Sequence, residues 1–244
     1  VALSEADTCR KFVVPKLQAA GWDDEPHSIA EQRSITDGRI VPVGKGFVRK
    51  PQQRPDYLLR YARNFTLAVV EAKATWKSAG EGLQQAKRYA EMLGLQFAYA
   101  TNGHEIVEFD YFTGRESHVA AYPTPVELWA RYRSGSKLDD DNAARLLTPM
   151  NHSVGKGERY YQAIAVNRAV EGILQGSRRQ LLTMATGTGK TAVAFQICWK
   201  LWNAGWNAQG AARRPRILYL ADRNILIDQP KDGMFAPFGD ARWK

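Results

Sequence analysis

A glycine-rich segment between two apolar runs constrains this chain more than any other feature. Residues 185–191 read ATGTGKT, with the apolar run 181–184 before them and an apolar, helical stretch over 190–203 after them. Glycines let the backbone turn tightly, so that successive N–H groups point at one place, and a helix N-terminus adds its positive dipole end. The pattern predicts a strand, a phosphate-binding loop and a helix in series.

The polar groups of this loop suit a nucleotide, and ATP is the expected ligand. Lys190 would reach the outer phosphates, and the Thr191 hydroxyl could ligate Mg²⁺. A glycine-rich loop that binds nothing is the alternative, which the flanking strand and helix disfavour. The loop residues expected to bind the nucleotide are Thr186, Gly187, Thr188, Gly189, Lys190 and Thr191.

The loop and its surroundings resemble the motor domains of superfamily 2 helicases and translocases. These proteins carry the Thr-Gly-x-Gly-Lys-Thr core and vary the first position of the general pattern, which is Met184 here. Residues 159–162 resemble the adenine-reading element of the same superfamily, although such a glutamine is in isolation an ordinary surface residue. The Gln162 amide can donate and accept at once, which matches the N6 donor and N7 acceptor of adenine.

A second apolar run, 217–221, ends at Asp222 and does not qualify as a Walker B strand. Arg223 stands where such motors place a catalytic glutamate, and Asp222 follows Lys190 too closely. Residues 221–224 instead resemble the next superfamily motif, which implies that Arg223 contacts the DNA backbone. A strand-end loop with ordinary charges is the alternative. No later motor motif precedes Lys244, so we expect the chain to hold ATP weakly and to hydrolyse it hardly at all.

Two carboxylates and a lysine are expected to converge near the middle of the first half. Strands predicted over 57–61 and 66–73 with the short link 62–64 form an antiparallel hairpin. Asp56 precedes the first strand, and Glu71 and Lys73 are two residues apart on the second, so they share a face. Carboxylates that hold Mg²⁺ can neutralise a phosphodiester and activate a water, while Lys73 orients or deprotonates that water or stabilises the developing charge.

Asp56, Glu71 and Lys73 resemble the PD-(D/E)xK nucleases, although an acid and an E-x-K triplet often arise by chance. Gln85 and Tyr89 lie four apart on one helical face and match the Gln-x-x-x-Tyr element that accompanies this motif in type I restriction subunits and RecB-like nucleases. A solvated helix face is the alternative for that pair. The resemblance also implies that Glu5 completes the metal site, whereas an acid in a first helical turn is expected for dipole reasons alone.

The order of predicted elements indicates an α/β protein with two domains. A helix over 4–20 with Ser4 as N-cap is followed by strands over 39–43, 57–61, 66–73 and 97–100 and a helix over 82–93. After the helix 159–176, the strands 181–184 and 217–221 should be parallel. We expect a nuclease domain of restriction-endonuclease-like mixed sheet over 1–122, a linker or peripheral helices over 123–157, and the first part of a RecA-like domain over 158–244.

Composition supports a nucleic-acid partner without requiring one. The formal charge is +9 and the pI is about 9.6, so the chain attracts polyanions at neutral pH. Cys9 and Cys198 lie far apart and predict neither a disulfide framework nor a zinc site. Without an apolar run of membrane-spanning length or a signal pattern, we expect a cytoplasmic protein. The first residue, Val1, and the last residues also suggest a fragment.

Taken together, these motifs occur in the order found in the motor and restriction subunits of type I restriction-modification enzymes. The resemblance covers nearly the whole chain. It implies Mg²⁺-dependent cleavage of double-stranded DNA, ATP-driven translocation, and assembly with modification (methyltransferase) and specificity subunits. A RecB-like or stand-alone nuclease-helicase that processes DNA ends is one alternative. A first domain that has lost cleavage and only docks DNA or a partner is another, which the retained Asp56, Glu71 and Lys73 oppose.

Overall fold

The computed structural model describes residues 3–35, 40–43, 46–49, 53–153, 159–210 and 214–243, with only the backbone for 40–43 and 46–49. The chain divides into two compact units, Val1–Ser136 and Lys137–Lys244. This division falls inside the segment 123–157 that was predicted as linker and peripheral helices. The predicted boundaries at 122 and 157 stay predictions.

The first unit contains a six-stranded mixed sheet and a separate two-stranded ribbon. The strands are β1 Ser28–Glu31, β2 Ile40–Val43, β3 Gly46–Arg49, β4 Tyr57–Ala62, β5 Phe65–Ala72, β6 Phe97–Thr101, β7 Ile106–Asp110 and β8 Arg115–Val119. The large sheet has the order β1-β4-β5-β6-β7-β8, and β2 pairs with β3. Every pair in the large sheet is antiparallel except β5 with β6.

The predicted hairpin and the helix after it are confirmed. β4 and β5 pair antiparallel around a link of two residues, Arg63-Asn64. Helix α2, Gly80–Leu93, then returns the chain so that β6 runs parallel to β5. It ends at Gly94, whose φ of 67° is the left-handed conformation that glycine adopts without strain. A strand, a helix and a parallel strand therefore form the centre of the unit.

The two faces of the sheet carry different cores. On one face, α2 packs through Ala79 and Leu83 against Ala100 and Val107. Side chains alternate along a strand, so the neighbouring residues of β6 and β7 point to the other face. There α3, Pro125–Gly135, contributes Arg131, which donates to Glu108 and Asp110. Glu71 of β5 lies directly beside Ala100 of β6, and α2 covers Ala100. The side chain of Glu71 therefore lies on the face that α2 covers.

Helix α1 begins where the sequence predicts and approaches the end of β6 closely. It comprises Glu5–Thr8, a π-helical turn Cys9–Val13 and Val14–Ala19, and Ser4 caps it by accepting from the Asp7 amide. A Cβ atom on Gly103 would lie 2.9 Å from Phe12 Cδ2, so only glycine fits there. This close contact fixes the π-helical turn of α1 against the loop after β6, and Glu5 precedes that turn on the same helix.

Among its described residues, the second unit consists of helices and loops and has no strand. Its helices are α4 Asp140–Leu146, α5 Tyr160–Leu174, α6 Lys190–Asn203, α7 Ile225–Asp232 and a 3₁₀ segment Ala236–Ala241. Helices α5 and α6 confirm two predicted helices. Lys200 of α6 is buried and donates from Nζ to Leu146 O and Asn167 Oδ1, and its burial lowers its pKa to about 8. One amine therefore links α4, α5 and α6.

The prediction of parallel strands over 181–184 and 217–221 is wrong for this structure, which has no strand in either segment. Leu181 is 92% exposed and Leu218 is 80% exposed, so neither run is covered on both sides. A strand requires a neighbour for its backbone N–H and C=O groups, and the periodicity of an apolar run does not supply one. Among the described residues, no helix is both long enough and apolar enough to cross a membrane.

Candidate functional site

The end of β5 brings three of the predicted residues to one place. Asp56 Oδ2 accepts a hydrogen bond of 2.8 Å from the Ala72 amide, so the carboxyl before β4 lies against the end of β5. The Lys73 amide donates to Thr101 O at 2.7 Å, which continues the pairing with β6 one residue beyond the strand. The backbone of the sheet thus positions Asp56, Glu71 and Lys73 before any side-chain contact is considered.

Side-chain hydrogen bonds join four of the predicted residues into a chain. Lys73 Nζ donates to Glu71 Oε1 at 3.0 Å and to Gln85 Oε1 at 3.1 Å. Gln85 Nε2 in turn donates to the Tyr89 hydroxyl at 3.0 Å. The prediction that Gln85 and Tyr89 share a helical face is therefore confirmed, and that face points at Lys73. A solvated helix face, the alternative for this pair, does not fit, because Tyr89 is buried.

Glu71 is a buried acid near the end of β5. Its side chain is 2% exposed, and its Oε2 atom has no hydrogen-bond partner among the described residues. Burial, with a further contribution from the negative charge of Asp56, raises the pKa of Glu71 to about 7, although Lys73 opposes the shift. Burial also raises the pKa of Asp56. Two carboxyl groups are thus held together in a place that disfavours their ionised forms.

Glu5 approaches the same place from helix α1. Its Oε2 lies 3.7 Å from Lys73 Nζ, and its side chain is half exposed. Burial disfavours the charged form of Lys73, but the nearby carboxylates of Glu71, Glu5 and Asp56 outweigh this effect and raise its pKa. Lys73 is therefore an ammonium group at neutral pH, ringed by acids.

These residues fit a divalent cation of the Mg²⁺ type. Hard cations take oxygen ligands, and Glu71 Oε2, which is unpartnered within the described part of the chain, lies beside Asp56 and could supply one. A cation there would also stabilise the ionised forms of both carboxyl groups, which burial disfavours. The described residues contain no group of three or more acidic, histidine or cysteine side chains already arranged as metal ligands. The assignment of Asp56, Glu71 and Glu5 as ligands stays a prediction.

Two further residues lie in the surroundings of Lys73, and neither was predicted as a site residue. A Cβ atom on Gly82 would lie 3.2 Å from Lys73 Cγ, so the absence of a side chain lets α2 pass close to the lysine. Asn102 donates from Nδ2 to Lys77 O and accepts from the amides of His104 and Glu105. It therefore joins the loop after β6 to the loop after Lys73.

The second unit brings Gln162 to the phosphate loop. Gln162 Nε2 donates to Thr188 O at 2.8 Å, and a Cβ atom on Gly189 would lie 2.3 Å from that nitrogen. Arg159 Nη1 lies 3.5 Å from Gly187 O. The two segments that the sequence linked to one nucleotide site are thus in contact, while the role of Gln162 with adenine stays a prediction.

The phosphate loop is folded on itself in this structure. Thr188 Oγ1 donates to Ala185 O at 2.6 Å, and Lys190 Nζ donates weakly to the carbonyls of Met184 and Ala185 at 3.4 Å and 3.3 Å. Gly187 and Gly189 adopt φ values of 78° and 89°, which the tight turn requires. Thr186 and Thr191 flank this turn on its two sides. The lysine thus lies over the loop that would hold the phosphates.

Arg223 lies apart from these contacts. It is well exposed, and its Nε is 4.0 Å from Asp222 Oδ2, at the limit of an ion pair. It directly precedes Asn224, the N-cap of α7. An exposed arginine is suited to a phosphate contact, and its assignment to the DNA backbone stays a prediction.

Comparison with known proteins finds that both units are similar to parts of restriction enzymes. The family model described as "Type III restriction enzyme, res subunit" matches residues 156–242. The chain is 36% identical over 249 residues to the endonuclease subunit of the type I restriction enzyme EcoAI from Escherichia coli, covering 99% of this chain and 30% of that subunit. The EcoKI endonuclease subunit from Escherichia coli strain K12 is 41% identical over 73 residues, which are 30% of this chain and 6% of that subunit.

A solved structure is similar along the whole chain. It is a fragment of an HsdR subunit of a type I restriction enzyme from Vibrio vulnificus YJ016, with a TM-score of 0.86 and 53% identity. The match covers 100% of this chain and 44% of that one, and the chain spans only 30% of the EcoAI subunit. The predicted resemblance is confirmed: along its whole length the chain is similar to endonuclease subunits of type I restriction enzymes.

Proposed function

We propose that this chain contains the DNA-cleaving centre and the nucleotide-binding front of a type I restriction enzyme, a site-specific deoxyribonuclease coupled to an ATP-dependent DNA translocase. The observation that carries the proposal is the buried Glu71 Oε2 beside Asp56, which has no hydrogen-bond partner among the described residues, with Lys73 held by Glu71 and Gln85. A carboxyl pair and a fixed ammonium at the end of a central strand suit the hydrolysis of a phosphodiester.

Each residue has a distinct part in the proposed reaction. Asp56 and Glu71, with Glu5 as a further acid, would hold Mg²⁺, which polarises the phosphate and lowers the pKa of a bound water. Lys73 has a raised pKa, so it keeps its proton at neutral pH and stabilises negative charge on the phosphate in preference to removing a proton. Gln85 fixes the direction of the ammonium, and Tyr89 fixes the amide of Gln85.

The nucleotide site of the second unit supports the translocase part of the proposal. Lys190 would exchange its weak bonds to Met184 and Ala185 carbonyls for the β- and γ-phosphates of ATP. Thr191 would ligate the accompanying Mg²⁺, and Gln162 would read adenine from its place beside Thr188. The tight turn at Gly187 and Gly189 supports this assignment.

The proposed partners follow from the relatives and from the charge of the chain. The substrate is double-stranded DNA, which a chain of formal charge +9 would engage mainly through phosphates. Assembly with modification and specificity subunits of a type I complex would supply recognition of the DNA sequence. Co-expression of the full subunit with those two subunits, followed by size-exclusion chromatography, tests this assembly, and separate elution would contradict it.

Nicking of a supercoiled plasmid by the purified chain tests the proposed nuclease. We expect nicking that requires Mg²⁺ and that falls by about 10²- to 10⁴-fold in Glu71→Gln, because that change removes a metal ligand but keeps the shape of the side chain. Glu81→Gln is the matched control, since Glu81 is exposed on α2 and pairs only loosely with Lys77. Equal nicking by Glu71→Gln and the unaltered chain would refute the proposal.

A further inference from the structure

The loop between Lys73 and helix α2 presents an exposed indole. Trp76 is 63% exposed, whereas the other two tryptophans of the first unit, Trp22 and Trp129, are 0% and 8% exposed. Burial of an aromatic side chain is among the larger stabilising contributions to a fold. The first unit gains this contribution from two tryptophans and leaves the third in solvent.

Hydrogen bonds hold the loop in one conformation around Trp76. On one side, the Thr75 amide donates to Leu3 O at 3.3 Å, and the Leu3 amide donates to Thr75 Oγ1 at 3.0 Å. On the other side, the Lys77 amide donates to Ala74 O at 2.9 Å, and Asn102 Nδ2 donates to Lys77 O at 2.9 Å. The indole is therefore carried on a fixed backbone and not on a free loop.

The position of Trp76 relative to the nuclease centre follows from chain geometry. It lies three residues beyond Lys73, so their Cα atoms are at most about 11 Å apart. One DNA strand advances roughly 3.4 Å per nucleotide, so this distance corresponds to about three nucleotides. If Lys73 acts on the phosphodiester, as the proposed function requires, Trp76 lies beside the nucleotides next to the cut.

We propose that Trp76 stacks on an unpaired nucleobase of the cleaved strand, within about three nucleotides of the cleaved bond. Lys77, the next residue, lies near Glu81, with 3.9 Å between its Nζ and Glu81 Oε2. The loop therefore offers charged side chains as well as the aromatic face of Trp76. An exposed ring on a rigid backbone stacks on any base without regard to its identity. Bases inside a duplex are already stacked on both sides, which makes an unpaired base the fitting partner.

Binding of a single-stranded oligonucleotide to the complete chain, in EDTA so that nothing is cleaved, tests this inference. Trp76→Ala should weaken binding by about 5- to 150-fold, the range for loss of one base–aromatic stack, and Trp76→Phe should retain most of the affinity. The ratio of the two affinities should stay constant as salt rises, because stacking releases no counterions. Val126→Ala, at a side chain that is 66% exposed, is the control and should bind normally.

A series of oligonucleotides, each with one base removed, identifies the kind of contact. For the unaltered chain, one abasic position should weaken binding, and in Trp76→Ala the same position should have no further effect. An equal affinity of Trp76→Ala and the unaltered chain, or a flat abasic series, would overturn the stacking contact while leaving the nuclease intact if plasmid nicking still depends on Glu71. A complete lack of DNA binding and nicking by the unaltered chain would overturn both proposals.

Discussion

The two candidate sites differ in how firmly contacts with the rest of the fold hold their residues in place. In the first unit, Glu71, Lys73, Gln85 and Tyr89 bond to one another, and the strand that carries Glu71 is paired on both sides. In the second unit, the phosphate loop bonds to itself, and the runs on which it should rest are unpaired and exposed. A site formed by side chains on a strand that is paired on both sides is preorganised, whereas a backbone loop needs paired strands beside it before it becomes rigid.

Single lysine changes should separate the two sites most strongly. Lys73→Ala should lower plasmid nicking by about 10²- to 10⁴-fold, because the charge that stabilises the reacting phosphate is lost. It should leave binding of a fluorescent ATP analogue unchanged. Lys190→Ala should do the reverse in this chain, abolishing nucleotide binding and sparing nicking. Loss of both activities in either folded variant would show that the two sites are not independent.

Amide hydrogen exchange should register the same contrast without any ligand. We expect the amides of Phe65–Ala72 to exchange at least about a hundredfold more slowly than those of 181–184 and 217–221, since only the former are bonded to strands on both sides. Mass spectrometry of peptides from each segment measures this difference. Equal protection would mean that the runs beside the phosphate loop are paired in solution.

The pH dependence of stability should reveal the buried carboxyl of the first site. The pKa of Glu71 is raised from 4.5 to about 7, so the folded protein binds more protons than the unfolded chain between those values. Stability present at low pH is therefore lost as pH rises through this window, by about 3 kcal/mol for Glu71 alone. Denaturant titrations without metal should show a smaller loss in Glu71→Gln, and an identical loss would contradict the raised pKa.

A side chain added at the point where α2 passes Lys73 should produce the smallest effect. Gly82→Ala places a Cβ atom 3.2 Å from Lys73 Cγ, and we expect about a tenfold fall in nicking because the ammonium shifts by a few tenths of an ångström. Stability should hold or rise, since alanine favours a helix over glycine by about 1 kcal/mol.

Gly80→Ala is the matched control on the same helix. Its Cβ would meet only Ser78 Oγ, at 3.5 Å, which is an ordinary contact. Full activity in Gly82→Ala, measured beside this control, would show that the lysine tolerates the displacement.

The sequence predicted the hairpin and its acid–lysine pair because both depend on local patterns, namely alternation along β4 and β5 and the spacing of Glu71 and Lys73. It could not predict that Lys73 would bond to Gln85, because that contact depends on where α2 crosses the sheet. β7 and β8 were not assigned, and β8 is mostly exposed, so its sequence lacks the apolar alternation of a half-buried strand.

For the phosphate loop, the sequence predicted the turn but not the conformation of the neighbouring segments. Gly187, Gly189 and Lys190 predict the turn, and the turn is present with Gln162 beside it. The apolar runs 181–184 and 217–221 predict strands, but strand formation depends on partners distant in the sequence, which a local pattern does not contain. Asn102 and Gly82 were missed for a similar reason, since their importance lies in a contact and not in a motif.

Calorimetric titration of Mg²⁺ into the complete chain at pH 8 tests the central claim most directly, because it measures the cation that Glu71 and Asp56 are proposed to hold. We expect saturable binding that weakens by at least about tenfold in Glu71→Gln and in Asp56→Asn, that is unchanged in Glu81→Gln, and that is nearly intact in Lys73→Ala. Binding to Glu71→Gln as tight as to the unaltered chain would contradict a metal-dependent nuclease centre at the end of β5.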